Sequence, residues 1–342
     1  MKIIITANIV PFTPGGADYH INGLTEQLRA FGHDVELLRF PFRFSPDSEI
    51  ERLMEFCGAT DLNMANGVAA DKVISLQFPA YGVDHKDHRV WVMHQHRAIY
   101  ELYNAAEASE EDAAFKQLVT EFDNRNLAKA NKLFANSRRV AERLKQYNDI
   151  EAEPLYHPPH KADQFYCDDA QDYLFCPSRL ESLKRQDLII EAAQYMRSPL
   201  VLLIGGDGGQ EYNYQNLIRK LDVGEKVRLI GRFTETEKRV LYARSLGVVF
   251  VPHDEDYGYI TLEAMLSSKP VITCFDSGGP LEFIDHEDTG FRCHSKPQEL
   301  ALAFDELYDR QQLAREMGKR GRERYETSNI SWEHVADRLL SE

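Results

Sequence analysis

Short runs of valine, isoleucine and leucine alternate with longer amphipathic segments along most of this chain of 342 residues. The runs are too continuous to be strands with one exposed face, and such runs are typical of parallel strands that helices cover on both sides. The alternation is interrupted by Pro154, Pro158 and Pro159 and then begins again. Since about 100–200 residues make one domain, we predict two α/β lobes joined by a linker.

The predicted elements follow the same pattern in both lobes. In the first lobe, strands are predicted at residues 3–7, 35–39, 72–77 and 90–93, and helices at 18–31, 107–130 and 137–145. In the second lobe, strands are predicted at residues 173–176, 200–204, 227–230, 247–251 and 271–274, with helical segments between them. Ligands of open parallel sheets bind beyond the carboxyl ends of the strands, so function is expected there, in a cleft between the lobes.

The composition excludes several classes of protein. No apolar run approaches the ~18 residues of a membrane span, and the N-terminal run lacks the length and the cleavage site of a secretory signal. The five cysteines are scattered without a C-x-x-C spacing, which indicates neither a disulfide framework nor a zinc site. A net charge of −15 argues against binding of nucleic acid. We therefore expect a soluble, cytoplasmic protein.

One local stretch, Ser137–Lys145, is basic despite the acidic total. Such a helix could contact anionic lipid at the inner face of a membrane, or bind a phosphorylated substrate. Glu142 interrupts the positive charge, and a solvated helix face is therefore the favoured interpretation. A peripheral contact with a membrane is left open but is not indicated.

The most informative segment is Val251–Met265, which follows a predicted strand and opens a helix. We expect Glu255 in the loop and Glu263, eight residues later, in the first turn of the helix. The first N–H groups of a helix have no partner within it and can bind phosphate oxygens, while carboxylates accept hydrogen bonds from sugar hydroxyls. The segment therefore suits a sugar diphosphate. An acidic solvated loop before an ordinary helix is the simpler alternative.

The segment resembles the signature of the retaining GT-B glycosyltransferases (glycosyltransferase family 4-like, glycosyl transferases group 1), which is a glutamate, seven residues and a second glutamate. That family's loop reads Glu-x-Phe-Gly, and this chain has Glu255-Asp256-Tyr257-Gly258. Further segments occur in the family's order and spacing, which are Phe175–Leu180 followed by Lys184, and residues 204–208, 227–231, 268–272, 277–282 and 331–333.

The resemblance implies the GT-B fold, in which two Rossmann-like parallel-sheet domains face each other across a cleft. It implies an acceptor-side domain at residues 1–162, a nucleotide-sugar-binding domain at 170–325 and a C-terminal helix at 326–342 that returns to the first domain. It also implies a retaining transferase that moves a hexose from a GDP-, UDP- or dTDP-sugar to a hydroxyl of a glycan, a lipid-linked acceptor or a small molecule, as in polysaccharide biosynthesis.

The resemblance also assigns roles to particular residues. Arg179 and Lys184 match the pair that neutralises the donor diphosphate, and fixed cations stabilise the charge that a leaving group gains. Together with Glu255 and His94 they are the predicted catalytic residues, although a surface salt bridge would also explain the pair of cations. The predicted donor-binding residues are Gly15, Gly16, Gly205, Ile230, Tyr257, Gly258, Tyr259, Ile260, Thr261 and Glu263. With these cations in place, neither a metal nor another cofactor is required.

Two of these assignments have simpler alternatives. Gly15 and Gly16 lie in Pro14–Asp18, which resembles the family's double-glycine loop at the donor phosphate, but an ordinary turn from a strand to a helix would also use glycine. His94 follows a predicted strand, where the family often has a histidine that reaches the transferred sugar, and His96 could take that role instead. The two histidines could also have a structural role or bind a metal ion from one strand face, although no acidic or cysteine partner is nearby in the sequence.

The reaction route also has alternatives. No carboxylate of the first lobe stands out as the nucleophile that a double displacement would need. We therefore predict a front-face route, in which the departing diphosphate takes the proton of the acceptor hydroxyl. The sequence leaves two other functions open, which are a nucleotide-sugar epimerase on the same fold and a sugar-nucleotide-binding protein that has lost catalysis.

Overall fold

A computed structural model describes residues 1–12 and 15–342. The chain divides into two compact units, which are Met1–His160 together with Ser331–Glu342, and Lys161–Ile330. Each unit contains a six-stranded sheet whose neighbouring strands are parallel. The α/β class that the alternating pattern predicts is confirmed.

The first unit alternates strands with helices, which we number along the chain. Its strands are β1 (Lys2–Ile9), β2 (Asp34–Pro41), β3 (Met64–Ala65), β4 (Val68–Ala69), β5 (Lys72–Ser75), β6 (His88–Val92), β7 (Lys132–Ala135) and β8 (Glu153–Pro154). Its helices are α1 (Gly16–Ala30), α2 (Asp47–Gly58), α3 (Glu110–Leu127), α4 (Arg138–Asn148) and the last helix of the chain, α11 (Trp332–Leu340). The main sheet has the order β2-β1-β5-β6-β7-β8, and β3 and β4 form a separate antiparallel hairpin.

The two faces of the first sheet pack against different helices, because successive side chains of a strand point to opposite faces. Ile3 and Ile5 of β1 and Trp91 of β6 share one core cluster with side chains of α1 and α11. Val90 and Val92, on either side of Trp91, belong to a second cluster with side chains of α3 and α4. Both faces are therefore covered, as the continuous apolar runs predict.

Trp332 opens α11 and packs on α1 at Gly23. A Cβ atom at Gly23 would lie 2.5 Å from the indole of Trp332, so only glycine allows this close approach of the two helices. The ring of His157 stacks on Trp332 with centroids 5.5 Å apart, and on the ring of His20 with centroids 4.0 Å apart. The tryptophan of the C-terminal helix therefore has a packing role.

The basic helix α4 is capped by Ser137, whose hydroxyl accepts a hydrogen bond from the N–H of Val140 at 3.1 Å. Arg143 is buried, and its Nη1 lies 3.1 Å from Oε1 of Glu101. Nε of Arg97 lies 2.6 Å from the same oxygen. The interpretation of the basic stretch as a solvated face is therefore wrong for Arg143. Within residues 1–12 and 15–342, no helix combines the length and the apolarity that a membrane span requires.

The second unit repeats the architecture with a different strand order. Its strands are β9 (Tyr173–Pro177), β10 (Val201–Gly205), β11 (Val227–Gly231), β12 (Gly247–Val249), β13 (Val271–Cys274) and β14 (Gly290–Cys293). Its helices are α5 (Gln186–Ala192), α6 (Glu211–Leu221), α7 (Glu235–Arg244), α8 (Tyr259–Leu266), α9 (Pro297–Asp309) and α10 (Gln311–Thr327). The sheet has the order β11-β10-β9-β12-β13-β14, so β9 lies near its centre.

Three buried histidines of the first unit make the stability depend on pH. Burial lowers the pKa of His20 well below its ordinary value, and lowers the pKa of His88 to about 4 and that of His157 to about 3. Unfolded histidines take up protons near pH ~6.5, so between that pH and about pH 4 the unfolded chain binds more protons and the folded state loses stability as the pH falls. Asp123 has the opposite effect, because burial raises its pKa to about 7 and the folded state keeps a proton that the unfolded carboxyl releases.

On unfolding, the three histidines take up protons and the one carboxyl releases one, so about two protons are taken up in total. Each of these protons changes the free energy of unfolding by ~1.4 kcal/mol per pH unit. We therefore expect the free energy of unfolding to fall by about 1–3 kcal/mol per unit between about pH 6 and pH 4. Urea titrations across this range measure it. Asp123→Asn removes the opposing group and should steepen the dependence. A free energy of unfolding that rises on acidification, or the same slope in the variant, would contradict this interpretation.

Candidate functional site

The carboxyl ends of β9, β10 and β12 meet at one edge of the second sheet, because the three strands are adjacent and parallel. The chain passes from β9 to β10 on one side and later places β12 on the other side of β9. Such a change of direction creates a crevice at the carboxyl ends of the strands. Gly205 ends β10, Arg179 follows β9, and Glu255 follows β12. The structure therefore brings three of the predicted residues to the same edge of the sheet.

Arg179 lies in a loop that is fixed by the glycine-rich turn after β10. The N–H groups on either side of Arg179 donate to the carbonyls of Gly205 at 2.9 Å and Asp207 at 2.8 Å. Gly206, with φ of 130°, lies so close that a Cβ atom there would be 2.0 Å from the carbonyl oxygen of Ser178. The backbone around Arg179 is therefore held on both sides, while its side chain is exposed.

Lys184 and Glu255 form an ion pair between the loops that follow β9 and β12. The two side chains are only 18% and 19% exposed, and Nζ of Lys184 also lies 5.7 Å from the ring centroid of Phe250. The pair is therefore not a freely solvated surface salt bridge, which would contribute little. The ammonium lies at the edge where the sheet would hold an anion.

Gly258 caps the N-terminus of α8 in the left-handed region, with φ of 85°. A Cβ atom there would lie 2.9 Å from Cγ of Pro280 and 3.2 Å from the ring of Phe250, so the chain needs glycine at this point. Tyr257 is buried before it. The N–H of Thr261 donates to the carbonyl of Gly258 at 3.0 Å. The N–H of Thr261 is therefore engaged within the helix start and does not face a ligand, contrary to expectation.

Glu263 begins the second turn of α8, because the helix starts at Tyr259, so its expected place in the first turn is wrong. Its carboxylate is buried and accepts hydrogen bonds from Nζ of Lys238 and from the hydroxyl of Tyr242, each at 2.8 Å. Nζ of Lys238 also lies 3.0 Å from Glu235. Both oxygens of Glu263 are thus held by side chains of α7, and Glu263 is not part of the ion pair of Lys184 and Glu255.

The surroundings of Glu263 shift the pKa values of its partners. Burial alone would lower the pKa of Lys238, but the charges and hydrogen bonds of Glu263 and Glu235 together outweigh burial, and the pKa of the ammonium is raised. Burial and the charge of Glu263 raise the pKa of Tyr242 well above its ordinary value. Lys238 therefore stays charged and Tyr242 stays a hydrogen-bond donor across the physiological range, and together they hold the carboxylate of Glu263 in place.

Gly205 and Ile230 are neighbours at the ends of β10 and β11. A Cβ atom at Gly205 would lie 2.6 Å from the ring of Phe233 and 3.2 Å from Cδ1 of Ile230. Ile230 is partly exposed beside it. The two predicted donor-binding residues therefore lie on the β10 side of Arg179, while Glu255 lies on the β12 side.

The predicted glycines of the first unit lie at the start of α1. Gly15 is the residue before the helix, and its N–H donates to the carboxylate of Asp18 at 2.9 Å. Gly16 is the first residue of the helix. The side chain of Asp18 is also held by Arg39, whose Nη2 lies 2.7 Å away. Pro14 of the same predicted loop lies outside the residues that the structure describes.

His94 and His96 both follow the end of β6, so they do not share a strand face. Nδ1 of His94 hydrogen-bonds to the carbonyl of Gln95 at 2.8 Å, which directs Nε2 away from the backbone. The ring of His96 stacks on Phe78 with centroids 5.5 Å apart and meets Phe115 edge-on, and burial lowers its pKa. In the part of the chain that the structure describes, no three His, Cys, Asp or Glu side chains are grouped as they would be around a metal ion.

Residues 162–324 match the family described as glycosyl transferases group 1. This segment belongs to the glycosyl transferases group 1 family. It contains the loop of Arg179, the ion pair of Lys184 and Glu255, and the buried Glu263, and it falls within the second unit.

A curated relative of this chain is the human enzyme Alpha-1,3/1,6-mannosyltransferase ALG2. The two sequences are 30% identical over 182 residues, which are 48% of this chain and 44% of ALG2. The chain thus spans less than half the length of this relative.

Several solved structures match almost the whole chain, including the following two. Sucrose-phosphate synthase from Thermosynechococcus elongatus has a TM-score of 0.79 at 16% identity and covers 99% of this chain and 97% of its own. Alr3699/HepE from Anabaena, solved in complex with UDP and glucose, has a TM-score of 0.72 at 16% identity and covers 100% of both chains. Similarity at this identity concerns the fold alone. The predicted GT-B fold is confirmed.

Lys238 and Tyr242 are parts of the group 1 segment that the sequence does not point to. The only available signal is that Glu235, Lys238 and Tyr242 are spaced three and four residues apart, which places them on one face of α7. That spacing is common in solvated helices, and nothing in it predicts a buried carboxylate on another helix as the partner.

Tyr242→Phe should destabilise the protein more than an ordinary loss of a tyrosine hydroxyl. The change leaves a buried carboxylate oxygen of Glu263 without its donor, and a hydrogen bond to a charged group contributes about 1.5–3 kcal/mol. Tyr173→Phe is a matched control, because its hydroxyl donates at 2.7 Å to the neutral carbonyl of Leu241. The free energy of unfolding in urea measures both variants. Equal losses in the two would show that the charge of Glu263 is not what Tyr242 stabilises.

Proposed function

We propose that this chain is a retaining glycosyltransferase that moves a hexose from a nucleotide sugar to a hydroxyl acceptor. The observation that carries the proposal is the ion pair of Lys184 and Glu255, at the same sheet edge as the fixed loop of Arg179 and the start of α8. A cation that is half-enclosed and held by one carboxylate is suited to exchange that partner for a diphosphate. The group 1 family membership of this segment supports the same function.

The proposed reaction needs no covalent enzyme intermediate. The acceptor hydroxyl attacks the anomeric carbon on the face from which the diphosphate leaves, and its proton passes to a phosphate oxygen. The bond between the anomeric carbon and the diphosphate breaks while the new glycosidic bond forms, so the configuration is retained. Lys184 and Arg179 stabilise the charge that builds up on the leaving diphosphate, and preorganised charges of this kind supply much of a typical rate enhancement.

The donor is proposed to be a GDP-, UDP- or dTDP-hexose. The human relative is named a mannosyltransferase, and the Anabaena protein was solved with UDP and glucose. These two names motivate GDP-mannose and UDP-glucose as the first donors to test. The acceptor hydroxyl is proposed to belong to a glycan, a lipid-linked sugar or a small molecule.

We also propose that His94 contacts the donor sugar and that His96 does not. The ring of His96 is packed among aromatic side chains, whereas only Nδ1 of His94 is hydrogen-bonded to its own backbone segment. His94→Ala should therefore reduce turnover and His96→Ala should chiefly reduce stability. Steady-state kinetics and thermal unfolding of the two variants separate these effects, and the reverse pattern would move the role to His96. Gly15 and Gly16 keep their proposed place at the donor phosphate, which Gly16→Val would test by its effect on the donor KM.

The test of the function combines binding with product analysis. Thermal unfolding with GDP, UDP and dTDP should show stabilisation by one of them, because a ligand at 100 times its Kd stabilises the folded state by ~2.7 kcal/mol. Incubation of the matching hexose donor with simple sugar acceptors, followed by NMR of the anomeric proton, should show a product with the configuration of the donor. EDTA should leave the rate unchanged, because protein cations replace the metal.

Controls distinguish the proposal from its competitors. Conversion of the donor to an epimer without an acceptor would indicate an epimerase, and binding of a nucleoside diphosphate without any turnover would indicate an inactive binding protein. Glu255→Ala should abolish both transfer and slow donor hydrolysis. Full turnover in that variant, or a product of inverted configuration, would refute the proposed reaction.

A further inference from the structure

Arg185 follows Lys184 directly and joins the turn of Ser182–Lys184 to α5. Its backbone is in the left-handed region, with φ of 53° and ψ of 42°, a conformation that few residues other than glycine adopt. A strained backbone of this kind persists only where the surroundings over-determine it. The side chain of Arg185 supplies the reason, because it is only 17% exposed and is bonded on several sides.

The guanidinium of Arg185 binds three separate parts of the second unit. Nε donates to the carbonyl of Val251 at 2.7 Å, and Nη2 donates to the carbonyl of Pro252 at 2.8 Å. Both Nη atoms bind the carboxylate of Asp276, at 2.8 and 2.7 Å. Nη1 also donates to Oγ of Ser295 at 3.0 Å. The contacts with Val251 and Pro252 fix the start of the loop that carries Glu255. The contacts with Asp276 and Ser295 connect Arg185 to the loops after β13 and β14.

The loop of Glu255 is in turn bonded to the loop after β13. The N–H of Glu255 donates to the carbonyl of Ser277 at 2.9 Å, and the N–H of Gly279 donates to the carbonyl of Glu255 at 2.8 Å. The N–H of the preceding residue, Asp254, donates to the carbonyl of Asp276 at 2.9 Å. Asp276 therefore contacts this loop through its backbone and Arg185 through its side chain.

The charge state of Asp276 agrees with a permanent contact. Burial would raise its pKa, but the hydrogen bonds from Arg185 and Ser295 and the charge of Arg185 outweigh burial and lower its pKa to about 2. The carboxylate is thus ionised at every pH at which the protein is expected to work. Lysine could not replace Arg185, because an ammonium lacks the planar fork that binds a carboxylate with two parallel N–H groups while a third N–H reaches a carbonyl.

We propose that Arg185 is a positioning residue for transfer, which holds Lys184 and Glu255 in the relative arrangement that the diphosphate requires. This inference rests on the proposed function. Lys184 is fixed through the chain, since it is the neighbour of Arg185, and Glu255 is fixed through Val251, Pro252 and Asp276. Arg185 itself does not touch the donor. Its loss should therefore affect the precision of the site more than the fold.

The first experiment needs no activity. Hydrogen exchange followed by mass spectrometry is compared for the unaltered protein, Arg185→Lys, Asp276→Asn and the control Arg244→Gln. The control removes another arginine–carboxylate contact of the same unit, at 2.9 Å to Asp168, and Arg244 precedes β12 at the amino end of the strand, whereas the loop of Glu255 follows its carboxyl end. Exchange in peptides that contain residues 254–255 and 279 should become about tenfold faster in the first two variants and stay unchanged in the control. Unchanged exchange in Arg185→Lys would overturn the inference.

The second experiment links the loops to turnover. Arg185→Lys and Asp276→Asn should each lower kcat about 10–100-fold, as expected when reacting groups are misplaced by a fraction of an ångström to an ångström. The KM for the donor should change much less, and thermal stability should match that of Arg244→Gln. Asparagine tolerates the left-handed backbone, so Arg185→Asn should remove the guanidinium group without straining the backbone. Addition of free guanidinium should therefore restore part of the kcat of Arg185→Asn, and it should not change the kcat of Arg244→Gln.

The outcomes separate this inference from the proposed function. If the unaltered protein shows no turnover while the loops exchange faster in the Arg185 variants, the proposed function fails and Arg185 is a purely structural residue, which overturns the inference as well. If the unaltered protein turns over and the Arg185 variants keep its kcat, the function stands and the positioning role is refuted. A tenfold or larger loss of kcat with partial rescue by guanidinium supports both.

Discussion

Replacing Lys184 by alanine is expected to lower kcat about 10²–10³-fold, the usual effect of removing one preorganised group that stabilises charge in the transition state. The ammonium is held at the sheet edge by Glu255 and lies near the ring of Phe250. Its position is therefore fixed before the donor binds, and no reorganisation is needed when the diphosphate gains charge. Steady-state kinetics with the donor that gives the largest thermal stabilisation measures the loss.

The stability of the Lys184→Ala variant decides how that loss is interpreted. The pair is largely enclosed and its loss leaves Glu255 without its partner, which costs about 1–3 kcal/mol, so the variant should unfold several degrees below the unaltered protein but remain folded. Lys319→Ala is the control, because Lys319 is an exposed lysine of α10 in the same unit. Its kcat should not change. Normal turnover in Lys184→Ala would remove the leaving-group role from this residue and leave the mechanism without its main cation.

A second variant, Glu255→Gln, separates binding from catalysis. In the proposed function the carboxylate of Glu255 competes with a diphosphate for Lys184 and is also a catalytic group. Its neutralisation should therefore keep or increase the affinity for the nucleoside diphosphate while it lowers the rate of transfer. Isothermal titration with the nucleoside diphosphate and a rate measurement on the same sample give the two quantities. A parallel loss of affinity and rate would mean that Glu255 holds the donor and does not compete with it.

The sequence predicts those parts of the site in which a particular residue type is needed at one position of a motif, such as Lys184 and Glu255. Lys184 and Glu255 are adjacent in space because both follow strands that lie side by side in the sheet. The alternation of apolar runs and helices predicts that both residues lie near the carboxyl ends of parallel strands, where ligands bind, but not which strands are neighbours. The sugar-diphosphate hypothesis needs only this location. Strands β9, β10 and β13 are predicted because each is a continuous apolar run, whereas the edge strand β11 contains Arg228 and is only partly buried.

The remainder depends on contacts between residues that are distant in the sequence. Glu263 is a candidate ligand in the motif, yet the structure gives both of its carboxylate oxygens to Lys238 and Tyr242 of another helix. Arg185 looks like a second basic residue beside Lys184, and only its bonds to three other loops distinguish it. Strand β14 contains a glycine and an arginine and is recognisable only through its pairing with β13. No local pattern encodes such contacts.

The glycine-rich turn after β10 provides the largest expected effect on stability. Gly206 has φ of 130°, and a Cβ atom there would lie 2.0 Å from the carbonyl oxygen of Ser178. The Cβ atom would be attached directly to the backbone of residue 206 and would meet the backbone of Ser178, so neither could move aside as the end of a flexible side chain would. Gly206→Ala therefore must separate the turn from the loop of Arg179, and we expect a loss of about 3 kcal/mol or more, from a strained backbone conformation that costs ~1–3 kcal/mol and from the broken contacts.

The same turn offers a matched control. Gly209 has no positive φ, and a Cβ atom there would meet nothing within 4 Å, so Gly209→Ala should change the free energy of unfolding by less than about 1 kcal/mol. Urea unfolding of the two variants gives the comparison. Because the N–H groups on either side of Arg179 depend on Gly205 and Asp207 for their acceptors, Gly206→Ala should also weaken binding of the nucleoside diphosphate where enough folded protein remains to measure it. Equal stability of the two alanine variants would mean that the turn and the loop of Arg179 are not packed as closely as described, and the fixed position of Arg179 would then have no structural basis.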